Sequence, residues 1–385
     1  MALPKITSTM LVLTHACNLR CRYCFVAKEP QHMTYETAKA SAEFLIKNAE
    51  ECGQTPSINF FGGEPMLMWD SIIVPLTNWI RNEYKKPFSL GITTNGTLLN
   101  DERIKFLKDN GIGMLFSIDG AKETQDYNRP YADGRGSFDS LENIIPKIGK
   151  EFINTTFRMT TIPATCHNVF NNIKFAEANG YNNFFLVPNV FEEWDNESKE
   201  TLRKEVSKYG DYYIDCMRNN IQPMTFSTFD KSFNDIKMIN HAIRTKTYRC
   251  SPGCKAMGKC GLGASRFASV HPNGNLYGCQ EMTSNEGPDS IFYIGNIFTG
   301  VDDDRRTALM ALYDQETITG EDCATCRYNR VCDGGCVANN YLATNNLAHL
   351  PKVYCWWKRM LLDEAIRVMQ TLGSEGNEMF KRKWG

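Results

Sequence analysis

Cys17, Cys21 and Cys24 stand at the spacing C-x3-C-x2-C directly after a strand-like run, Ile6–Leu13. Three thiolates on one loop can hold three irons of a [4Fe–4S] cube and leave the fourth iron open to a small molecule. Zinc also binds thiolates, but a structural zinc site needs a fourth ligand, for which His15 is a candidate. A second series runs Cys254, Cys260, Cys279, Cys323, Cys326, Cys332, Cys336 and Cys355. Its eight thiols match two cubes at four thiolates per cube, or a pair of zinc ribbons. Cys250, four residues before Cys254, competes with it as a ligand. Cys52, Cys166 and Cys216 read as small hydrophobes or neutral thiols.

The residues that must position these thiols alternate in type. Strand-like runs at Ile6–Leu13, Ser57–Phe61, Phe88–Thr94, Ile112–Ile118, Thr155–Ile162 and Asn183–Pro188 are separated by helix-like stretches. The latter are Tyr35–Ala49, with Thr34 as N-cap, then Ile72–Tyr84, Asp101–Asn110, Leu141–Ile148 and Val169–Asn179. Repeated βα units imply a parallel sheet covered by helices. About six units predict an α/β fold with a partial (β/α)6 TIM-like barrel, whose chemistry sits at the C-terminal strand ends. Residues 1–200 form this barrel in our reading. Residues 201–249 form a helical linker region with an unassigned patch at Thr225–Phe233. Residues 250–385 form a Cys-rich domain with a hairpin at Asn273-Gly274 and a final helix at Trp356–Leu372.

Composition narrows the functions. The 385 residues include 43 Lys+Arg and 44 Asp+Glu, a net charge of −1, which argues against binding nucleic acid by bulk charge. No apolar run reaches the roughly 18 residues of a membrane span. No secretory signal opens the chain. Fifteen cysteines, an odd number in a long chain, suit reduced, metal-binding thiols. We therefore expect a cytoplasmic protein.

Cys17-Asn18-Leu19-Arg20-Cys21-Arg22-Tyr23-Cys24 resembles the radical S-adenosylmethionine (SAM) signature. Gly62-Gly63-Glu64-Pro65, Thr93-Thr94-Asn95-Gly96 and Ser117-Ile118-Asp119-Gly120 stand at matching positions. The resemblance implies that the Gly62-Gly63-Glu64 segment meets the methionyl amino group of SAM and that Tyr23 lies near its adenine. It implies that Ser117 and Arg129 bind its ribose and carboxylate; a planar, permanently charged guanidinium suits a carboxylate. Leu186–Pro188 is expected beside the adenine. The later cysteines resemble the SPASM domain, a C-terminal module with two auxiliary [4Fe–4S] clusters. The resemblance assigns Cys254, Cys260, Cys279 and Cys336 to the first and Cys323, Cys326, Cys332 and Cys355 to the second, three clusters in all.

This family uses an electron, from a donor such as flavodoxin or ferredoxin, to cleave SAM into methionine and a 5′-deoxyadenosyl radical that abstracts a hydrogen atom. Substrates of the resembling enzymes are peptides or proteins. Anaerobic sulfatase maturases carry an Asp base directly after the cysteine matching Cys279. Here that residue is Gln280, which cannot accept a proton near neutral pH. Glu281 is the substitute candidate; Asp119, Asp126 and Tyr127 are others. For Asp126 and Arg129, three residues apart, a simple pair on one helix face is the structural alternative. The expected function is a peptide maturase acting on Cys-rich repeat precursors and forming a crosslink, with a Cys thioether foremost. Sulfatase maturation to formylglycine is the alternative, and a non-enzymatic metal-binding module the third reading. With about five residues before the first strand, leader recognition is expected at a sheet edge or on a separate protein.

Overall fold

The computed structural model describes residues 3–152, 155–245, 262, 265–282, 287–315, 319–328, 332 and 334–384. Cys250, Cys254 and Cys260 lie outside the described residues.

Six strands follow the expected runs: β1 (Ser8–Thr14), β2 (Ser57–Gly62), β3 (Ser89–Thr94), β4 (Ile112–Ser117), β5 (Phe157–Thr161) and β6 (Asn183–Pro188). They are parallel and adjacent in chain order. A short β7 (Thr225–Phe226) extends the β6 edge. The linking helices are α1 (Tyr35–Cys52), α2 (Val74–Trp79), α3 (Asp101–Asp109), α4 (Lys122–Asn128), α5 (Ile145–Glu151) and α6 (Val169–Ala178). Thr34 caps α1 as expected, accepting from Thr37 N at 3.1 Å. The expected helix Ile72–Tyr84 is instead a short α2 between two wider π-turn segments. Pro75, in the first turn of α2, has no N–H to continue the ladder.

The strands show why the sheet has two different faces. Residues such as Ile58, Phe60, Ile92, Phe116, Phe157 and Phe184 are fully buried under the helices. Their neighbours Asn59, Phe61, Thr93, Leu115, Ser117, Arg158 and Phe185 are only half-buried. Side chains alternate across a strand, so these second sets share the inner face away from the helices.

Residues after β6 form α7 (Asn196–Arg218) and, past β7, α8 (Ser227–Thr245). The patch at Thr225–Phe233 is thus β7 and the start of α8. Tyr209, Tyr213, Phe226, Phe229 and Phe233 pack there as one aromatic cluster. The hairpin at Asn273-Gly274 is formed by β8 (Phe267–Val270) and β9 (Asn275–Tyr277), with Gly274 at φ +84°. β8 does not stand apart: it pairs in parallel with β1, Ser8 opposite Phe267, and β10 (Tyr293–Asn296) and β11 (Gly300–Val301) complete one 11-stranded sheet. The remaining helices are α9 (Asp303–Gln315), α10 (Val337–Thr344), α11 (Lys352–Ser374) and α12 (Glu378–Trp384). The helix expected at Trp356–Leu372 is therefore the middle of a longer one.

Candidate active site

Parallel strands bring the C-terminal ends of β1 to β4 to one edge of the sheet, and the motif residues sit there. The loop after β1 carries the three thiols. Its backbone is tied to the segment after α4 by Arg20 N to Pro130 O at 2.8 Å and Arg22 N to Asn128 O at 3.0 Å. Cys17 Sγ accepts from Leu19 N at 3.4 Å and Asn95 Nδ2 at 3.8 Å; Cys24 Sγ accepts from Lys28 Nζ at 2.8 Å. The three thiols lie within electrostatic reach of one another. Burial pushes the Cys17 thiol up and that of Cys21 up to about 12, so only a bound cation would hold them as thiolates near neutrality. Three thiols on one loop, with Leu19 N and Asn95 Nδ2 aimed at the Cys17 sulfur, fit three corners of a cube.

Gly62 and Gly63 do allow a close approach, and the partner is the chain itself. A Cβ on Gly62 would lie 2.2 Å from Thr14 O, and one on Gly63 would lie 2.2 Å from Ala16 O. The end of β2 is pressed against the base of the cysteine loop. Glu64 is fully enclosed and accepts from Met66 N at 3.0 Å, Thr94 Oγ1 at 2.8 Å and Asn95 N at 2.8 Å. It ties the end of β2 to that of β3. Burial raises its pKa to about 7 against these hydrogen bonds.

Asp119, just after β4, is the hub of the site. Its Oδ1 accepts from Arg129 Nη2 at 3.1 Å and Thr160 N at 2.9 Å; its Oδ2 accepts from Asn128 Nδ2 at 3.0 Å and from the Tyr23 hydroxyl. The Arg129 guanidinium carbon also lies 5.3 Å from the Tyr23 ring centre. The alternative of an Asp126–Arg129 pair is not realised. Arg129 is the C-cap of α4, with φ −127° and ψ 57°, so its backbone leaves the helix and its side chain turns inward to Asp119. Asp126 faces the other way, pairing with Lys122 at 3.0 Å and accepting from Phe138 N at 2.7 Å. Saturated with donors, Asp119 is unsuited to act as a base. Tyr127 is exposed beneath Arg22. Ser117 is half-buried on the inner face.

Glu281 follows the β9 turn that carries Cys279. Burial raises its pKa, opposed by the nearby Arg158 guanidinium and a hydrogen bond with Gln280. Glu281 is half-buried and lies near the Arg158 guanidinium. Arg158 is the one charged residue of β5, whose sequence is Phe-Arg-Met-Thr-Thr, and that charge within a strand was the available signal. His15 is fully buried and meets the equally buried His271 edge-on at 5.6 Å between ring centres. Burial lowers both, His271 to about 3, so both rings are neutral and pack.

In the C-terminal region, Cys323 lies within electrostatic reach of Cys326, and Cys355 within reach of Cys323 and Cys332. A Cβ on Gly320 would lie 2.8 Å from Cys355 Sγ and 3.3 Å from Cys323 Sγ. This is the set expected for one auxiliary cluster. Cys355 rides on α11 and Cys336 caps α10. Of the other expected set only Cys279 and Cys336 are described, both half-buried. Cys166 and Cys216 are buried, and Cys52 is half-buried.

Residues 11–173 match the Radical SAM superfamily, and this part of the chain is a radical SAM domain. The serine-type anaerobic sulfatase-maturating enzyme of Klebsiella aerogenes is 23% identical over 353 residues, 86% of this chain and 79% of that protein. Relatives at 32% identity align over only 51% and 35% of their own length, so the chain spans about half or less of them. Among solved structures, native anSMEcpe with bound AdoMet and Kp18Cys peptide superposes with a TM-score of 0.73 at 20% identity, over 95% of this chain and 99% of that one. Streptococcus suis SuiB bound to precursor peptide SuiA gives 0.59 at 16% identity, over 91% and 76%. The fold is thus the α/β one expected, a mainly parallel sheet with a Cys-rich C-terminal region.

Proposed function

We propose that this chain is a radical SAM peptide maturase that installs a crosslink, a Cys thioether foremost, in a ribosomally made peptide. The observation that carries this reading is the pair Gln280-Glu281 after Cys279. The resembling sulfatase maturases place an Asp base at the first of these positions, where Gln280 cannot accept a proton near neutral pH. Glu281, half-buried near Arg158 and with its pKa raised by desolvation, is the residue suited to accept a proton from the substrate.

The cofactors proposed are SAM, one [4Fe–4S] cluster on Cys17, Cys21 and Cys24, and two auxiliary clusters. Of these, one takes Cys323, Cys326, Cys332 and Cys355, and the other Cys254, Cys260, Cys279 and Cys336. When bound, SAM at the first cluster supplies a radical able to abstract hydrogen. The chain itself orients the ligands. Tyr23, Ser117 and Arg129 line the place for SAM, and Gly62, Gly63 and Glu64 hold the cysteine loop against β2 and β3. The inner face excludes water around the reacting carbon. A flavodoxin or ferredoxin would deliver the electron.

Mass spectrometry of peptides encoded beside the gene, after anaerobic incubation with reconstituted enzyme, SAM and reductant, tests this. A loss of about two mass units per event with cysteines no longer alkylatable is the expected result. The same loss with free thiols would move the crosslink to carbon or oxygen. The sulfatase reading stays second because the likeness to the Klebsiella sulfatase maturase runs through most of both chains. Formylglycine on a co-expressed sulfatase, with no crosslinked peptide, would put it first.

A further inference from the structure

Asn128 is the last residue of α4 and is fully buried. A helix leaves its last four carbonyls without partners in its own ladder. The Asn128 carbonyl finds one in the cysteine loop, accepting from Arg22 N at 3.0 Å. The segment that follows continues the contact. Pro130 O accepts from Arg20 N at 2.8 Å, Leu19 pairs antiparallel with Tyr131, and Ala132 N donates to Asn18 O at 3.2 Å. Residues 18–22 therefore run as a ribbon against residues 128–132, and the path of the loop between Cys17 and Cys24 follows from where Asn128 is held.

The side chain of Asn128 does the holding. Its Nδ2 donates to Asp119 Oδ2 at 3.0 Å and to Thr160 O at 3.3 Å, and its Oδ1 accepts from Thr165 Oγ1 at 3.0 Å. A carboxylate and a carbonyl only accept, so the NH2 of the amide must face them, which turns Oδ1 to the threonine. Thr165 is buried in the short helical turn Pro163–Asn168 after β5, and that turn packs on α7. Valine has the shape of threonine without the hydroxyl. Thr165→Val would strip this donor from an enclosed oxygen and leave the packing in place.

We propose that Asn128 and Thr165 are positioning residues of the SAM site. They join β5 and the turn on α7 to the loop that carries Cys21 and Tyr23, and they set where those two residues stand relative to Asp119. The proposal rests on the reading of this site as one for SAM. Without the Thr165 hydroxyl, residues 128–132 and the loop paired with them populate other positions, and apparent affinity falls with the fraction that stays competent.

The test compares reconstituted, anaerobic wild type with Thr165→Val, Thr165→Ser, Asn128→Ala and Thr165→Val/Asn128→Ala, at equal iron content. Equilibrium dialysis measures SAM binding. Thr165→Val should bind SAM about fivefold more weakly, the worth of one ordinary hydrogen bond. Thr165→Ser, which restores the hydroxyl, should bind as wild type does. The double variant should bind no more weakly than Asn128→Ala, because the acceptor is already gone. Thr165→Val with a lower melting temperature and unaltered SAM binding marks a purely structural contact and overturns the proposal. Equal weakening in Thr165→Val and Thr165→Ser overturns it too, since the hydroxyl is then not the cause. Hydrogen exchange on the wild type covers a Thr165→Val that does not fold. Added SAM should slow exchange in residues 18–22 and 163–168 together, and slowing confined to the first stretch overturns the proposal. A wild type that loads iron but neither binds nor cleaves SAM overturns the functional reading itself.

Discussion

Asp119 and Arg129 form a buried ion pair in which the carboxylate takes donors from four residues: Arg129, Thr160, Asn128 and Tyr23. Removing one partner of such a pair leaves the other charged and enclosed, which costs about 3–5 kcal/mol. Asp119→Ala should therefore lower unfolding stability by about that amount, measured by urea denaturation of the anaerobic protein. Asp119→Asn keeps the shape and loses the charge, so it should cost less stability yet misplace Tyr23 and Arg129. Weaker SAM binding in a variant of normal iron content is the readout; unchanged binding would return Asp119 to a purely structural part. Gly63 is the second decisive residue. A methyl there meets Ala16 O and His15 O, both backbone, and cannot be absorbed by a rotamer change. Gly63→Ala should push the cysteine loop off β2 and cut iron bound at the first site, with the C-terminal iron retained; a full iron count would contradict this.

At the scale of elements, the aromatic cluster joins α7 and α8 to the last helix. Phe380 and Trp384 of α12 pack on Phe233, and the Trp384 indole donates to Tyr213 Oη at 2.7 Å. Asp230 is enclosed in this contact, with Lys383 at 3.5 Å and Tyr209 and Tyr213 facing it. Burial raises its pKa from 3.8 to about 6 in spite of the lysine. A group raised on folding favours the folded state below its unfolded pKa and loses that contribution as pH climbs through the folded value. From this group stability should fall between about pH 4 and pH 6, by about 2–3 kcal/mol in all. Asp230→Asn should remove that slope, read from urea midpoints across the same range. An unaltered pH profile would mean that water or Lys383 compensates the charge fully.

For the molecule as a whole, the Cys-rich region is continuous with the sheet. β8 extends it beyond β1, and α11 brings Cys355 while packing on α7 and α8, where Lys358 meets Asp235 at 3.0 Å. The first and later thiol sets are nevertheless built by different stretches of chain. Replacing Cys17, Cys21 and Cys24 by Ala should abolish SAM cleavage and leave about eight irons per chain. Replacing Cys326 and Cys332 by Ala should remove about four irons and spare SAM cleavage without substrate. Cleavage surviving the triple replacement would sink the assignment of the first cluster.

Much of this was legible from local chemistry. The six parallel strands, the cap at Thr34, the hairpin at Asn273-Gly274 and the three-thiol loop depend on alternation, side-chain capping, glycine conformation and short spacing, all of which act between near neighbours in the chain. What only the tertiary structure decided are contacts between distant segments. Spacing offered Asp126 to Arg129, but the end of α4 turned the guanidinium to Asp119. The glycines promised a close approach, and packing made the cysteine loop the partner. Pairing of β8 with β1 joined two regions that composition had separated. The setting of Arg158, the charged residue of β5, came only from register, which set it opposite Ser117 and stacked it on Phe185 with no carboxylate at contact distance among the described residues. Local sequence specifies backbone conformation and ligand type; the charges and surfaces that each side chain meets are set only when segments far apart in the chain pack together.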